Sequence, residues 1–253
     1  SQMVNKGTIT QKQFIYLKAS ELDRERRFYT LPKIHKAPYS WFVPNSIPNG
    51  RPIVSDSSSE SIRIAQFVDS FLRPIACSHQ AYIKDTYDFV KKVRGLRIPP
   101  GAYLVTGDVS SLYTNMKHDR LMQVTKDFFA KSPNPDRDDE NLLLLLDLTL
   151  RNNDFQFNGR TFLQICGTAM GKSYAPSLAN LYLQEMDDKA MAHDPAVLLF
   201  LRYIDDLFFV WSGTEEELIR FRDFLNSLIP GIEVTLTWSQ ESVDFLDTTV
   251  YKK

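Results

Sequence analysis

Three aspartates stand at the ends of apolar runs, and they are the residues of this chain best suited to chemistry. Asp205 and Asp206 interrupt the apolar run Val197–Trp211, and Asp108 follows the run that begins at Ala102. Each run predicts buried strands, with Asp205-Asp206 at a hairpin turn and Asp108 at a second strand end. Carboxylates are ligands that Mg²⁺ prefers. Three of them on neighbouring strands would hold two ions, which is sufficient to promote an in-line phosphoryl transfer.

Each aspartate also has a plainer explanation. Hairpin turns often contain aspartate, and Asp108 by itself is as readily a helix cap. A tight two-residue turn, however, prefers Asn-Gly or Asp-Gly. Two aspartates there imply charge repulsion and backbone strain, which a bound divalent cation would offset. Taken together, the three residues favour a metal site.

The composition is that of an ordinary globular protein. The chain has 253 residues, of which 43% are apolar, enough for a sizeable core. Its two cysteines and four histidines form neither a zinc motif nor a disulfide framework. The longest apolar stretches, Leu142–Leu146 and Ala196–Leu201, are much shorter than the roughly 18 residues of a membrane span. We therefore expect an intracellular protein with no membrane partner.

Charge is distributed unevenly along the chain although the net charge is −1. Residues 1–98 contain 16 Lys and Arg against 8 Asp and Glu, and residues 99–253 contain 14 against 23. Two solvated faces of opposite sign would explain this pattern. The alternative is a basic lobe that grips phosphate, facing an acidic lobe that binds cations.

The elements that must position the aspartates are predicted from periodicity, caps and turn residues. A charged helix over 11–27 precedes basic extended segments in 31–55, which alternate proline with short apolar pieces. In chain order, the further predicted elements are helices over 62–74 and 82–93, a strand over 102–109, helices over 119–131 and 139–151, a hairpin around Asn158-Gly159, a helix over 176–192, two strands flanking Asp205-Asp206, a helix from Thr214 to Leu228, and strands over 232–238 and 243–251.

Several motifs, in order, resemble one family. Tyr203-Ile-Asp-Asp206 resembles the Tyr-x-Asp-Asp hairpin of reverse transcriptases, and Asp108-Val-Ser-Ser-Leu-Tyr113 is similar to their preceding metal-binding strand. The set as a whole resembles the reverse transcriptase of Penelope-like retroelements, relatives of telomerase. Its further members are Leu31-Pro-Lys-Ile-His-Lys36, Arg51-Pro-Ile-Val-Ser55, Gly167-Thr-Ala-Met-Gly171 continuing to Asn180, Arg202 to Trp211, and Phe245-Leu-Asp247.

The resemblance implies roles in catalysis. Asp108 and Asp205 would bind two Mg²⁺ ions with help from the Val109 carbonyl, and Mn²⁺ would be able to replace Mg²⁺. Asp206 would complete the catalytic and metal-binding set and act mainly through its charge. The ring of Tyr113 would pack beneath the sugar and exclude a 2′-hydroxyl, although a tyrosine packed in the core is the alternative.

The resemblance also implies contacts with nucleotide and template. Lys33, Lys36 and Arg51 would reach the triphosphate of the incoming nucleotide, although each alone is an ordinary surface charge. Met170 and Gly171 would bring backbone close to the nascent base pair, because small residues permit such an approach. Lys172 and Tyr203 would contact template or primer.

The resulting hypothesis is an α+β right-hand polymerase core with an antiparallel palm sheet. Residues 1–98, with 120–154 added, would form the basic fingers, and 99–253 the catalytic palm. The core would add deoxynucleotides to a primer on an RNA or DNA template, in the nucleus. A two-metal nuclease is the rival enzyme, but it needs neither the lysine-rich strands nor Tyr113. A domesticated nucleic-acid-binding module with weak or no polymerase activity is the rival of another class.

Three departures from the family pattern bear on this hypothesis. The helical thumb expected beyond Asp247 and the GIY-YIG endonuclease found in many family members are absent from the sequence, so we expect these segments to come from a longer parent chain or from a partner. No lysine lies between Trp211 and Phe245 to protonate the departing pyrophosphate, and arginine is a poor substitute. Lys172 stands where a small polar residue is more usual.

Overall fold

The computed structural model describes residues 2–18, 24–33 and 50–252 of the chain. Helices and short antiparallel strands alternate along this part of the sequence. The elements are α1 Gln2–Asn5, α2 Gln11–Leu17, β1 Phe28–Pro32, β2 Gly50–Val54, α3 Ile62–Ala76, α4 Thr86–Val93, β3 Tyr103–Val109, α5 Leu112–Asn115, α6 His118–Lys131, α7 Asp139–Arg151, β4 Asp154–Phe157, β5 Arg160–Leu163, α8 Ala175–His193, β6 Val197–Tyr203, β7 Asp206–Trp211, α9 Glu215–Leu228, β8 Val234–Ser239, β9 Ser242–Phe245 and β10 Thr248–Tyr251.

A four-stranded antiparallel sheet lies at the centre, in the order β6-β7-β3-β8. In its register, Asp108 of β3 lies opposite Asp206 of β7 on one side and opposite Thr235 of β8 on the other. The apolar run that ends at Asp108 thus forms β3, and it lies beside β7, the second of the two strands formed by the run Val197–Trp211. Because neighbouring strands are about 4.8 Å apart, the strand ends that carry the aspartates meet at one edge.

Both faces of this sheet are covered, as its nearly continuous apolar strands require. Val105 and Phe209 face a large apolar core that α3 and α6 to α9 close, whereas Leu104 and Phe208 face a smaller cluster that includes Phe89 of α4. Neighbouring residues of one strand enter different clusters, because side chains alternate between the faces of a sheet.

One two-residue turn and one helix cap have the local structure that their residue types predict. Asn158 and Gly159 both have positive φ in the β4–β5 turn, as a tight hairpin of this type requires. Thr214 and Glu217 form the predicted capping box at the start of α9. The predicted hairpin and the predicted helix are both confirmed.

Two predicted elements are wrong in extent. The helix expected over 11–27 ends at Leu17, and residues 24–26 are irregular where the chain is next described. The single strand expected over 243–251 is the β9–β10 hairpin, with Leu246 at φ 50° in its turn. Asp247 is small and polar, so Leu246-Asp247 reverses the chain although both neighbouring segments favour extended structure.

The α+β class with antiparallel sheets is confirmed. The division into residues 1–98 and 99–253 stays a prediction, and α3 of the first part packs against α7 and α8 of the second. Within the described part of the chain, no helix combines the length and the apolar character needed to cross a membrane.

Candidate active site

The three aspartates lie together at one end of the central sheet. Asp108 and Asp206 are direct partners across β3 and β7. The backbone N–H of Val109 donates a hydrogen bond of 2.9 Å to the carbonyl oxygen of Asp205. This contact joins the end of β3 to the turn between β6 and β7, so the geometry brings together all three predicted carboxylates.

The turn differs in detail from the prediction. Its two residues are Ile204 and Asp205, and Asp206 is already the first residue of β7. The strain also lies elsewhere than expected, because Ile204 has φ 57°. A β-branched residue in the left-handed region is a genuine outlier, and such strain persists where the surroundings over-determine the conformation.

A buried arginine supplies that restraint. Arg202 Nη1 donates to the carbonyl oxygen of Ile204 at 2.9 Å and to Asn180 Oδ1 at 2.8 Å. Its Nε and Nη2 bond both carboxylate oxygens of Asp187, at 2.9 and 2.5 Å. Because burial disfavours the charged carboxylate, the pKa of Asp187 is raised, although Arg202 acts in the opposite direction. Arg202 therefore ties the strained turn to α8.

The site is electrostatically unfavourable without a cation. Burial raises the pKa of Asp206 to about 6, with contributions from the charges of Asp205 and Asp108. Burial and the charge of Asp108 also raise the pKa of Asp205, while Arg51 and Arg202 partly offset them. Among the described residues, none of the three carboxylates takes part in an ion pair. Like charges held together this way persist where a positive ligand compensates them.

The aspartates line two adjoining hollows. Asp108 and Asp205 line a cleft of about 230 Å³, together with Val109 and Tyr113. Asp206 and the other side of Asp108 line a second hollow, of about 210 Å³, that continues to the β9–β10 hairpin. The pair Asp108 and Asp205 therefore shares the cleft, and Asp206 stands beside it.

The donor set fits a divalent cation of the Mg²⁺ type. In the described ranges, no group of three His, Cys, Asp or Glu side chains converges into a protein-only metal cage. Mg²⁺ seldom uses such a cage and is usually held by one or two carboxylates plus substrate phosphates and water. Asp108 and Asp205, in a cleft that Val109 also lines, match that pattern.

Tyr113 occupies the floor of the same cleft and is half-buried. Burial and the nearby charge of Asp205 raise its pKa to about 12, so the phenol stays neutral at physiological pH. Its position on the short helix α5 is fixed by the backbone of a distant segment. Gly167 N–H donates to Met116 at 2.8 Å, and Thr168 N–H donates to the Tyr113 carbonyl at 2.9 Å.

Several of the predicted nucleotide-binding residues also line the cleft. Lys33, Arg51 and Met170 are part of its wall. Gly171 has φ 91°, and a Cβ there would meet nothing closer than 4.0 Å, so the backbone conformation requires glycine and leaves space before it. Lys36, predicted for the same role, lies outside the described residues.

The predicted template contact of Lys172 is wrong in this structure. Lys172 is only 2% exposed, and its Nζ lies 3.1 Å from Asp56 Oδ1. Burial lowers the pKa of this ammonium to about 8, although Asp56 acts in the opposite direction. The partner, Asp56, is distant in sequence, so the local sequence around Lys172 does not reveal it. The ion pair with Asp56 holds the Lys172 side chain in the interior. Tyr203 is half-buried at the end of β6, and its contact with template or primer stays a prediction.

Two buried residues near the site were missed by sequence reasoning. The sequence pattern assigns Arg202 no role beyond its membership of the motif from Arg202 to Trp211, and it assigns Asp56 none. A charged residue directly before the Tyr-x-Asp-Asp turn, within an otherwise apolar strand, was the available signal for Arg202. Nothing local distinguishes Asp56 from a solvated turn residue.

Solved structures show which class of fold these elements form. Telomerase of Candida albicans in complex with a fragment of telomeric RNA matches with a TM-score of 0.64 and 12% identity, over 99% of this chain and 49% of that one. Apo telomerase of Candida tropicalis, truncated from its C-terminal domain, matches with a TM-score of 0.60 and 12% identity, over 99% and 57%. The RNA-dependent RNA polymerase of a human picobirnavirus matches with a TM-score of 0.57 and 13% identity, over 81% and 40%. The fold is therefore that of polymerase fingers and palm.

The sequence narrows this class. Residues 50–240 match the family model described as reverse transcriptase (RNA-dependent DNA polymerase), and the chain belongs to that family. No curated protein matches it significantly in sequence. The chain spans about half the length of the two telomerases named above.

Proposed function

We propose that this chain is the catalytic core of an RNA-directed DNA polymerase of the Penelope-like type, which adds deoxynucleotides to a primer 3′ end. The observation that carries the proposal is the shared cleft of Asp108 and Asp205, whose wall includes Lys33, Arg51 and Tyr113. Metal ligands, phosphate-binding cations and a sugar-contacting ring thus surround one space. A nuclease would need the carboxylates alone.

In the proposed mechanism, Asp108, Asp205 and the Val109 carbonyl would hold two Mg²⁺ ions, or Mn²⁺ in their place. When bound, such ions supply activation of the primer hydroxyl and stabilisation of the leaving oxygen. Arg51 and Lys33 neutralise charge on the triphosphate, as guanidinium and ammonium groups do in phosphoryl transfer. Asp206 contributes negative charge from the adjoining hollow and helps retain the ions.

Substrate selection follows from the remaining walls of the cleft. Tyr113 lines the cleft, and in this proposal its ring packs beneath the sugar and excludes a 2′-hydroxyl, which favours deoxynucleotides. Met170 and Gly171 present backbone to the nascent base pair. The fingers would comprise residues 1–98 with 120–154, and the palm the rest. Three further parts of the proposal rest on the family resemblance. They are that Tyr203 contacts the template, that Lys36 contacts the triphosphate and that the enzyme acts in the nucleus.

Primer extension tests the proposal directly. Wild type, Asp205→Asn and Asp223→Asn are compared on RNA and DNA templates with Mg²⁺ or Mn²⁺. Asp223 is an exposed carboxylate on α9, so its variant controls for loss of one negative charge. We expect extension by wild type and Asp223→Asn and at least about a hundredfold loss in Asp205→Asn, because the interaction acts mainly in the transition state. Duplex binding without any extension by wild type would favour the binding-module alternative and overturn the proposal.

A further inference from the structure

A buried ion cluster lies directly behind the nucleotide side of the cleft. Asp56 Oδ1 accepts from Arg26 Nε at 2.7 Å and from Lys172 Nζ at 3.1 Å. Ser61 Oγ accepts from Lys172 Nζ at 2.9 Å and from Arg26 Nη2 at 2.6 Å. The side chains of Asp56 and Lys172 are fully buried, and that of Arg26 is 1% exposed. We call Arg26, Asp56, Ser61 and Lys172 the buried ion cluster.

Two further carboxylates lie near Arg26. Its Nη2 lies 2.9 Å from Oε1 of Glu60, which is half exposed, and its Nη1 lies 3.8 Å from Oδ1 of Asp154, which is exposed. Asp56 is therefore the one fully buried carboxylate that the two cations share among the described residues. Asp56 Oδ2 is buried and has no hydrogen-bond partner among the described residues, so one oxygen of Asp56 carries both cationic contacts. Such an arrangement is costly to desolvate, and its retention is best explained by the geometry it fixes.

The cluster joins the two chain segments that carry the predicted nucleotide contacts. The backbone N–H of Asp56 donates to the carbonyl of Met170 at 3.0 Å, and Ser55 forms a parallel bridge with Met170. Arg51 lies on β2, which leads directly into Ser55. Lys172 directly follows Gly171, so the Asp56–Lys172 ion pair is a second contact between the same two segments.

Arg51 belongs to one of the two joined segments and Met170 to the other, and both residues line the cleft. A shift of either segment changes the distance between the guanidinium that would meet the triphosphate and the backbone that would meet the base pair. Binding sites of this kind are sensitive to displacements of about 1 Å. The cluster lies outside the cleft, so its members do not touch the nucleotide themselves.

We propose that Asp56 is a positioning residue, which through Arg26 and Lys172 sets the spacing between Arg51 and the Met170-Gly171 backbone and so determines affinity for the incoming nucleotide. This inference rests on the proposed function. It assigns to Lys172 an internal structural partner in place of a template phosphate.

The test combines Asp56→Asn, Lys172→Met and the double variant. Asp56→Asn leaves two buried cations without their shared carboxylate, so we expect KM for the nucleotide to rise about tenfold or more with a smaller change in kcat, as loss of ground-state binding predicts. Lys172→Met leaves the Arg26–Asp56 pair intact and should have a smaller effect. Adding Lys172→Met to Asp56→Asn removes one excess cation and should recover part of the loss.

Asp69→Asn is the matched control. Asp69 is also a buried carboxylate, 4% exposed, but it joins α3 to Ser177 of α8. Its variant should lose stability without a selective change in KM. Hydrogen exchange of segments 50–56 and 167–172 supplies a second readout that needs no catalysis, and it should accelerate in both segments in Asp56→Asn but not in Asp69→Asn.

The outcomes separate this inference from the proposed function. If wild type does not extend primers, the proposed function fails, and exchange alone decides whether Asp56 couples the two segments. Unchanged exchange in both segments, or a KM for Asp56→Asn equal to that of Asp69→Asn, overturns the inference. Where Asp56→Asn does not fold, Lys172→Met gives the same comparison with one ion pair retained.

Discussion

Asp205 and Asp206 are adjacent in sequence but line different hollows. Asp205 shares the cleft with Asp108, and Asp206 faces the β9–β10 hairpin. Their mutual repulsion is part of the free energy of the unliganded fold, because burial and like charges raise both pKa values. A loss of stability from closely placed like charges is common at functional sites.

Asp206→Asn should therefore stabilise the protein in the absence of divalent metal at pH 7. The pKa of Asp206 is raised to about 6 in the folded state, so protonated Asp206 is compatible with the fold and ionised Asp206 destabilises it. The free energy of unfolding is therefore unaffected by Asp206 below about pH 4 and decreases as the pH rises through 6. The asparagine variant does not incur this loss. We expect a higher Tm at pH 7, by about 2 to 4 °C for each kcal/mol recovered, and no difference near pH 4.

Thermal unfolding in EDTA across pH 4 to 7, and again with Mg²⁺, measures this effect. Mg²⁺ should reduce the difference at pH 7, since the ion stabilises wild type more than the variant. A variant that is less stable than wild type at pH 7 would contradict the electrostatic account of the site.

A substitution of Tyr113 is a second test at the residue scale, and it addresses the proposed selection of deoxynucleotides over ribonucleotides. Tyr113→Ala should increase ribonucleotide incorporation relative to deoxynucleotide, by about tenfold or more, because one excluded hydroxyl is worth 1 to 3 kcal/mol or so. Tyr113→Phe keeps the ring and should retain the discrimination of wild type. The measurement is the ratio of kcat/KM for matched ribo- and deoxynucleotides, and an unchanged ratio in Tyr113→Ala removes Tyr113 from this role.

At the scale of elements, Gly167 fixes α5 against the loop that leads to α8. A Cβ at Gly167 would lie 2.2 Å from the Tyr113 carbonyl oxygen and 2.7 Å from Thr114 Cα. These are backbone atoms and cannot rotate away. The requirement for glycine thus arises from close packing against the segment that carries Tyr113.

Gly167→Ala should be strongly destabilising, and Gly159→Ala is its matched control. Both residues have positive φ, 75° and 71°, but a Cβ at Gly159 meets nothing within 4 Å. Alanine at either position incurs about 1 to 3 kcal/mol for the left-handed conformation, and only Gly167 adds a steric clash. Urea unfolding should show the larger loss for Gly167→Ala; equal losses would refute the packing argument.

The β6–β7 hairpin depends on Arg202 in a comparable way. Arg202→Lys keeps a positive charge for Asp187 but cannot also reach the carbonyl of Ile204 with a fixed fork of donors. We expect a moderate loss of stability, roughly 1.5 to 3 kcal/mol, and a fall in kcat of up to about a hundredfold, because Asp205 follows the released residue directly. Primer extension and unfolding are measured beside Arg222→Lys, an exposed substitution on α9 that should change neither. Wild-type kcat in Arg202→Lys would show that the turn holds its shape without this bond.

At the scale of the whole molecule, local patterns account for the elements and long-range contacts for their adjustments. The apolar runs ending in Asp108 and Asp205 predicted the central strands and their meeting point, because strand periodicity and burial are encoded in each run. The burial of Lys172 depends on Asp56, which is distant in sequence, so no local pattern predicts it. The length of α2 and the break at Leu246 likewise depend on tertiary packing and turn geometry that propensity does not contain.

The opposite charges of the two halves acquire a more specific interpretation. Lys33 and Arg51, from the basic part, line the same cleft as Asp108 and Asp205, from the acidic part. The charge asymmetry is therefore realised within one cleft, where basic side chains and carboxylates line the same space. The buried pair of Lys172 and Asp56 has the reverse arrangement, because the cation belongs to the acidic part of the chain and the carboxylate to the basic part.

Binding of Mn²⁺ followed by electron paramagnetic resonance tests the central claim most directly, that Asp108 and Asp205 form a divalent-metal site. Titrations with a deoxynucleotide triphosphate present are compared for wild type, Asp108→Asn, Asp205→Asn and Asp223→Asn. We predict about two bound ions per chain in wild type and in Asp223→Asn, as in two-metal phosphoryl transfer, and weaker or incomplete binding when Asp108 or Asp205 is replaced. Equal binding by all four proteins would contradict the account.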